Sequence, residues 1–358
     1  MQFNDVQLQY EQLKSEIDFA VQQVLSGGRY ILGPVGQTFE EEFARYCGVT
    51  RGIGVASGMD ALRIGLSALG VRAGDEVLVP AVSAAATAMA VTQLHARPVF
   101  VDIRPDDFTM DPEDAFQKCG SRTKAMVPVH LYGMPAHLKQ LAELRLLLLE
   151  DAAQAHGSEA SWGRCGSFGE AAAFSFYPTK NLGTYGDGGM IVTSSEDVAD
   201  RSRLLRNYGQ RENYASEILG DNSRLDEVHA AILRVKLKRL EAWNRRRREI
   251  AALYRNGLGD LPIGLQAETG QSNYHLFVVT TPERDGLRRH LTSLEIPSLI
   301  HYPIPLPRQK AFAELNPSQC PHADRLCSRV LSLPIHPSME DFEVEKVVEA
   351  VRSFFAKG

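Results

Sequence analysis

From residue 51 onward, the hydrophobic positions of this chain fall into short continuous runs. RGIGVAS (51–57), EVLVPA (76–81), RPVFVDI (97–103), KAMVPVHLY (124–132), LRLLLLE (144–150), AAAFSF (171–176) and GMIVTS (189–194) are each mostly apolar. Runs of this length with no strict alternation predict strands covered on both faces. GMDALRIGLSAL (58–69), SAAATAMAVTQL (83–94) and segments near 135–144 and 196–206 lie between or after them, and predict helices. Strand and helix in alternation imply a mixed, mostly parallel sheet sandwiched by helices, an α/β fold. The polar stretch NYGQRENYASEILGDNS (207–223) reads as a long loop, and loops of that length in compact domains are usually functional. One long helix is expected from about Arg224 to Tyr254. After about residue 240 the texture changes. NYHLFVVT, a helix, the proline-rich HYPIPLP and two further helices predict a smaller α+β domain. The expected division is therefore a large α/β domain over 1–240 and a small C-terminal one over 241–358.

Composition narrows the function classes. With 358 residues, 44% hydrophobic and 23% charged, the chain is long enough for a large core and an additional smaller one. A formal net charge of −5 argues against general nucleic-acid binding. No run approaches the roughly 18 apolar residues of a membrane span. MQFNDVQLQYEQLKSEID has no basic region followed by an apolar one, so the expected location is cytoplasmic. The five cysteines, Cys47, Cys119, Cys165, Cys320 and Cys327, are odd in number and show no framework spacing. CPHADRLC (320–327) brings two of them near His322, but no second ligand pair lies nearby, and thiols without a metal are the expectation.

Three places carry candidate chemistry. In VASGMDAL (55–62) a strand ends and Ser57-Gly58 opens a helix. Free amides and the positive end of a helix dipole favour an anion such as phosphate there, although a plain serine N-cap explains the same residues. In LLLLEDAAQAHG (146–157), Asp151 stands at the end of an apolar strand, where open α/β sheets place ligands. Its carboxylate can pair with a protonated ring nitrogen, or simply cap a helix. In SFYPTKNLGTYGDGG (175–189), Lys180 lies on a loop between two strands. The glycines follow the lysine, so this is not a G-x-x-x-x-G-K-[ST] phosphate loop. A lysine at such a place is usually just solvated, but it can also bond covalently to an aldehyde cofactor. Phosphate cradle, carboxylate and lysine, all at strand ends, are the three parts that such a cofactor requires.

The runs ASGMDAL, EDAAQAHG, FSFYPTKNLG, GDGG and DNSRLDEVHAAILRVKL resemble those of the DegT/DnrJ/EryC/StrS sugar aminotransferases, fold-type-I enzymes that use pyridoxal 5′-phosphate. The resemblance extends from about residue 7 to the C-terminus and includes YILGPVGQTFEEEFARYCGV, PVHLYGMPA and HYPIPL. It implies that Lys180 bonds to the cofactor aldehyde and then shuttles protons. It implies that Asp151 pairs with the pyridinium nitrogen and that Gln154 lies by the ring hydroxyl. Ser57, Gly58, Met59 and Ser175 would hold the phosphate, Met59 through its backbone amide only, since it stands where relatives carry a hydroxyl residue. Asn222 would reach the phosphate from the neighbouring subunit, making a homodimer with composite sites. Tyr177, His301 and Tyr302 would contact the sugar; a loop histidine held by proline packing is the plain alternative for His301. Two departures stand out: Ala84 occupies the place of a ring-stacking aromatic residue, and the segment between Tyr132 and Glu150 is a few residues short. The implied reaction moves an amino group from an amino acid, L-glutamate, to a nucleotide-linked keto sugar. A keto cyclitol acceptor, or a non-catalytic cofactor-binding regulator, are the alternatives.

Overall fold

The computed structural model describes residues 1–212, 214–315 and 318–356. Its centre is a seven-stranded sheet. In chain order the strands are β1 (Arg51–Val55), β2 (Glu76–Pro80), β3 (Arg97–Val101), β4 (Thr123–Met126), β5 (Leu147–Asp151), β6 (Ala171–Ser175) and β7 (Gly189–Thr193). Across the sheet the order is β1-β7-β6-β5-β4-β2-β3. Neighbours pair parallel except where β7 meets β1 and β6. All strands but β7 therefore share one direction, and their C-terminal ends form a single edge. The continuous apolar runs are buried on both faces, as in LLLED of β5 and GMIVT of β7. Helices Gly58–Ala68 and Ala85–Thr92 join strands that enclose the largest core, which includes Ile53, Leu66, Val79, Phe100, Leu149 and Ile191.

Residues 1–50 lie outside the alternation and form two helices, Val6–Gly27 and Pro34–Cys47. Pro34 starts the second one, where a missing N–H costs nothing. Its free amides are satisfied from far along the chain. The buried carboxylate of Glu227 accepts from the N–H groups of Gly33 (2.9 Å), Val35 (2.9 Å) and Gly36 (2.8 Å).

Three expectations change. The long helix expected over 224–254 is two helices, Glu227–Leu237 and Leu240–Leu258, broken at Lys238–Arg239. The first packs Ile232 and Val235 against Leu13 and Ile17; the second puts Ile250, Ala251 and Tyr254 into a separate core. The strand expected over 124–132 ends at Met126, and the chain continues to a tight turn at Leu131–Gly133. The helix expected near 135–144 shrinks to Leu138–Leu141 and one 3-10 turn. The polar stretch 207–223 is a loop carrying a short ribbon, Gln210–Glu212 with Ala215–Ser216.

The second core forms around a three-stranded antiparallel sheet, β8 (Gly264–Leu265), β9 (Phe277–Thr280) and β10 (Val330–Leu333), covered by Leu240–Leu258, Arg284–Ser293 and Asp341–Phe355. Between β9 and β10 the chain returns to the large sheet, where Leu306, Phe312, Ala323 and Leu326 join the first core. No described helix is long and apolar enough to cross a membrane.

Candidate active site

The candidate residues gather where the parallel strands end, because strand order and direction bring those ends to one edge. β1 leads into Ser57, which caps the Gly58–Ala68 helix by accepting from the Asp60 N–H at 3.1 Å. That bond uses a hydroxyl lone pair and leaves the hydroxyl proton free to donate. Ser175, the last residue of β6, accepts from the Tyr177 N–H at 3.3 Å and keeps its proton in the same way. Gly58 brings the two together. A Cβ there would lie 2.6 Å from Ser175 Cβ and 3.1 Å from its Oγ. The start of the Gly58–Ala68 helix and the Ser175 side chain are thus packed so closely that there is no room for a side chain at residue 58. The two hydroxyls and the amides of the helix start suit a phosphate.

Asp151 closes β5 and is buried. Its Oδ2 accepts from Thr87 Oγ1 at 2.7 Å, and its Oδ1 accepts from the Ala153 N–H at 3.2 Å. Thr87 is itself held by Ser83 at 2.8 Å. Burial pushes the Asp151 carboxyl above its ordinary range, while Thr87, Ala153 and the Lys180 charge pull the other way. Ala84 is the N-cap of the helix that carries Thr87. Lys180 is half-buried on the β6–β7 loop, where its N–H donates to the Tyr177 carbonyl at 2.9 Å. Burial lowers its ammonium to about 8, with Asp151 opposing. An amine that is neutral in part near pH 8 is a nucleophile and a base, as an ordinary surface lysine is not.

Gln154, His301 and Tyr302 belong to one hydrogen-bonded chain. Gln154 Oε1 accepts from the Tyr132 N–H at 2.6 Å, and its Nε2 donates to the Tyr302 hydroxyl at 3.0 Å. The Tyr132 hydroxyl donates to the His301 carbonyl, and His301 Nδ1 meets Ser332 Oγ at 2.8 Å. Tyr132 takes a left-handed φ of 63°, sparse territory for an aromatic residue, and these bonds hold it there. Burial, then the Lys180 charge, lower His301 to about 4, so its ring is neutral at pH 7. Tyr177 lies at the mouth, 53% exposed.

Asn222 is exposed, on a segment clamped to the cradle helix. Arg63 holds Asp221 at 2.6 Å, and Ser223 links the Ala56 N–H (3.0 Å) to Asp60 (2.9 Å).

Thr87, Tyr132 and His156 escaped the sequence reading. Thr87 and Tyr132 sit inside quoted motifs, but nothing local says that they point at Asp151 and Gln154. His156 is buried among Phe43, Phe174 and Phe176 with both ring nitrogens unpartnered. Burial, then Lys180, lower it to about 3. Among the described residues no cluster of His, Cys, Asp and Glu could hold a metal.

A family model matches this chain over residues 11–352. The chain belongs to the DegT/DnrJ/EryC1/StrS aminotransferase family. It is 46% identical to a dTDP-3-amino-3,4,6-trideoxy-alpha-D-glucose transaminase of Streptomyces venezuelae, over 98% of this chain and 95% of the relative. It is 40% identical to a UDP-N-acetyl-3-dehydro-alpha-D-glucosamine 3-aminotransferase of Acidithiobacillus ferrooxidans, over 97% and 96% of the two chains. Among solved structures, S. venezuelae DesV in complex with a ketimine intermediate superposes with a TM-score of 0.96 at 46% identity, covering 99% of this chain and 98% of that one. The protein is a pyridoxal-phosphate-dependent sugar-nucleotide aminotransferase of this family, and the residues present fit that cofactor. The hydroxyls of Ser57 and Ser175 at the start of the Gly58–Ala68 helix suit a phosphate, the buried Asp151 suits a protonated ring nitrogen, and Lys180 offers an amine of lowered basicity.

Proposed function

We propose that this aminotransferase moves an amino group from L-glutamate to the C3 ketone of a nucleotide-linked sugar. The observation that carries the reading is that Lys180, lowered to about 8, lies in the field of the buried Asp151, at the same sheet edge as the helix start at Ser57-Gly58. The C3 position follows the names of the S. venezuelae and A. ferrooxidans relatives, which share it although their nucleotides differ.

When bound, pyridoxal phosphate supplies an electron sink for the carbanion formed at the amino-bearing carbon. The chain does the rest. Ser57, Ser175 and the Gly58 and Met59 amides hold the phosphate, and Asp151 keeps a positive charge at the ring nitrogen. Lys180 Nζ takes the proton from the amino-bearing carbon of the donor and delivers it to the other carbon bonded to that nitrogen, and makes the reverse transfer for the sugar. Gln154 fixes Tyr302, and Tyr132 fixes the His301 backbone, so that both face the sugar together with Tyr177. In this reading residues 1–240 hold the cofactor, and 241–358 contribute His301 and Tyr302 to the sugar side. Asn222, exposed on a clamped segment, reaches the phosphate of a second copy, which makes the homodimer the functional unit. Five unpaired cysteines and a nucleotide-linked substrate support a cytoplasmic setting.

The test is the visible absorption of the cofactor-loaded protein. Addition of L-glutamate should bleach the visible band, and a nucleotide-linked 3-keto sugar should restore it. A band indifferent to L-glutamate refutes the donor assignment. For the shared site, Lys180→Ala and Asn222→Ala subunits are each expected to be inactive. Mixed after dissociation, they should recover roughly a quarter of wild-type activity, since half the dimers are mixed and half their sites intact. No recovery refutes the composite site.

A further inference from the structure

The chain buries a second lysine that the chemistry above leaves unused. Lys236 lies near the end of the Glu227–Leu237 helix and is 0% exposed. Its Nζ donates to the Gly183 carbonyl at 2.7 Å and sits 4.0 Å from the centre of the Tyr185 ring. Tyr185 in turn meets Tyr10 edge-on at 5.7 Å. Burial lowers the Lys236 amine to about 7, and an apolar side chain of similar length would usually be cheaper to bury. Its two polar contacts, the carbonyl and the ring face, both lie on the loop that carries Lys180.

That loop is tied elsewhere too. Asn4 Nδ2 donates to the Thr179 carbonyl at 3.1 Å. The Asn181 side chain donates to Asn244 Oδ1 (3.0 Å) and to the Asn273 carbonyl (3.1 Å). The Thr184 N–H closes the loop on the Phe176 carbonyl at 2.8 Å. Between Asn181 and Thr184 the chain doubles back so tightly that a Cβ on Gly183 would lie 2.6 Å from the carbonyl oxygens of Tyr177 and Pro178. Lys236 grips the Gly183 carbonyl in the middle of this turn.

We infer that Lys236 is a positioning residue: by gripping the Gly183 carbonyl and the Tyr185 face, it holds the 177–186 loop so that the Lys180 amine is presented in one place. This rests on the reading of Lys180 as the proton-transfer residue. The contacts of Lys236 are with the loop, at Gly183 and Tyr185, and not with the residues assigned to cofactor or sugar.

Three variants test it in the cofactor-loaded protein. Lys236→Met keeps the stem and removes the donor. Lys236→Gln keeps a neutral donor, and Tyr185→Leu removes the ring face from a half-exposed position. Two quantities are read: the rate at which L-glutamate bleaches the visible band, as a function of its concentration, and amide exchange over residues 181–186 by mass spectrometry. Lys236→Met should lower the limiting rate on the order of 10- to 100-fold, as a small misplacement does, with half-saturation within about twofold. Exchange over 181–186 should quicken about tenfold or more while distant segments are unchanged. Lys236→Gln should recover most of both losses, because its amide can still donate. Tyr185→Leu should give a smaller loss, roughly threefold, in the same direction. A Lys236→Met protein with wild-type exchange and limiting rate overturns the inference, and so does a Lys236→Gln protein no better than Lys236→Met. If Lys236→Met does not fold, a Tyr185→Leu protein with wild-type exchange and limiting rate overturns it. A wild-type protein indifferent to L-glutamate sinks the donor assignment instead, and the exchange data still decide this one.

Discussion

Substituting Gly58 by alanine tests the phosphate cradle with one methyl group. Its Cβ would lie 2.6 Å from Ser175 Cβ and 3.1 Å from Ser175 Cα, against an ordinary carbon–carbon contact of about 3.5–4.0 Å. Something must move by about 1 Å. Ser175 cannot yield easily, because β6 is bonded on one side to β5 and on the other, at Gly189, to β7. The helix start must retreat instead, and with it the amides that point at the phosphate. Overpacking of this kind costs about 1–3 kcal/mol. Against it stands the better helix propensity of alanine, at most about 1 kcal/mol. The steric term wins or roughly cancels in stability, so the melting temperature is a poor readout. Binding is a better one, since amide–phosphate hydrogen bonds do not survive a 1 Å retreat. The affinity for pyridoxal phosphate should fall about 10- to 100-fold, or 1.4–2.7 kcal/mol. Absorbance titration measures it, with pyridoxal, which lacks the phosphate, as the control. Gly58→Ala should weaken the first and spare the second. Wild-type affinity for pyridoxal phosphate, or an equal loss for both ligands, would refute the cradle.

Four further outcomes are expected. Capture of pyridoxal phosphate by Lys180 should quicken with pH around a midpoint of about 8, because only the neutral amine attacks, and stopped-flow absorbance from pH 6.5 to 9.5 measures it. By linkage, the unfolded chain holds the Lys180 proton up to its ordinary 10.5 while the folded one releases it near 8, so this residue makes the cofactor-free protein more stable as pH rises between the two. Thr87→Val removes one donor from the buried Asp151 and should cost about 1–2 kcal/mol at pH 7. Since burial raises the Asp151 carboxyl, that loss should shrink as acid protonates it; calorimetry from pH 7 down to the onset of acid unfolding that finds a constant loss would contradict this. Glu227→Gln weakens the acceptor of three backbone N–H groups at a helix start and should cost about 2–3 kcal/mol in urea unfolding; a loss under about 0.5 kcal/mol would mean that the amides find other partners.

The sequence by itself determined the strands and the three chemical groups at their ends. A strand buried on both faces must be continuously apolar, so all seven strands of the large sheet were visible as runs. Asp151 follows one such run directly and Lys180 lies four residues beyond another; each alone has a plain structural reading, and they stood out because they occur together with Ser57-Gly58 at strand ends. Ser57-Gly58 showed the same way, as a cap at a strand-to-helix turn. Only the tertiary structure decided which of these groups meet, and what holds them. The break at Lys238–Arg239 carries neither glycine nor proline, and arises because the two helices serve different cores. Thr87 reaches Asp151 across 64 residues, Tyr132 joins Gln154 to the His301 backbone, and Lys236 grips a carbonyl 53 residues away. These contacts depend on the strand order β1-β7-β6-β5-β4-β2-β3 and on where the helices pack across it. A hydrophobic pattern records which faces are buried. It does not record which faces are buried against each other, and the polar contacts of the site exist only once that choice is made.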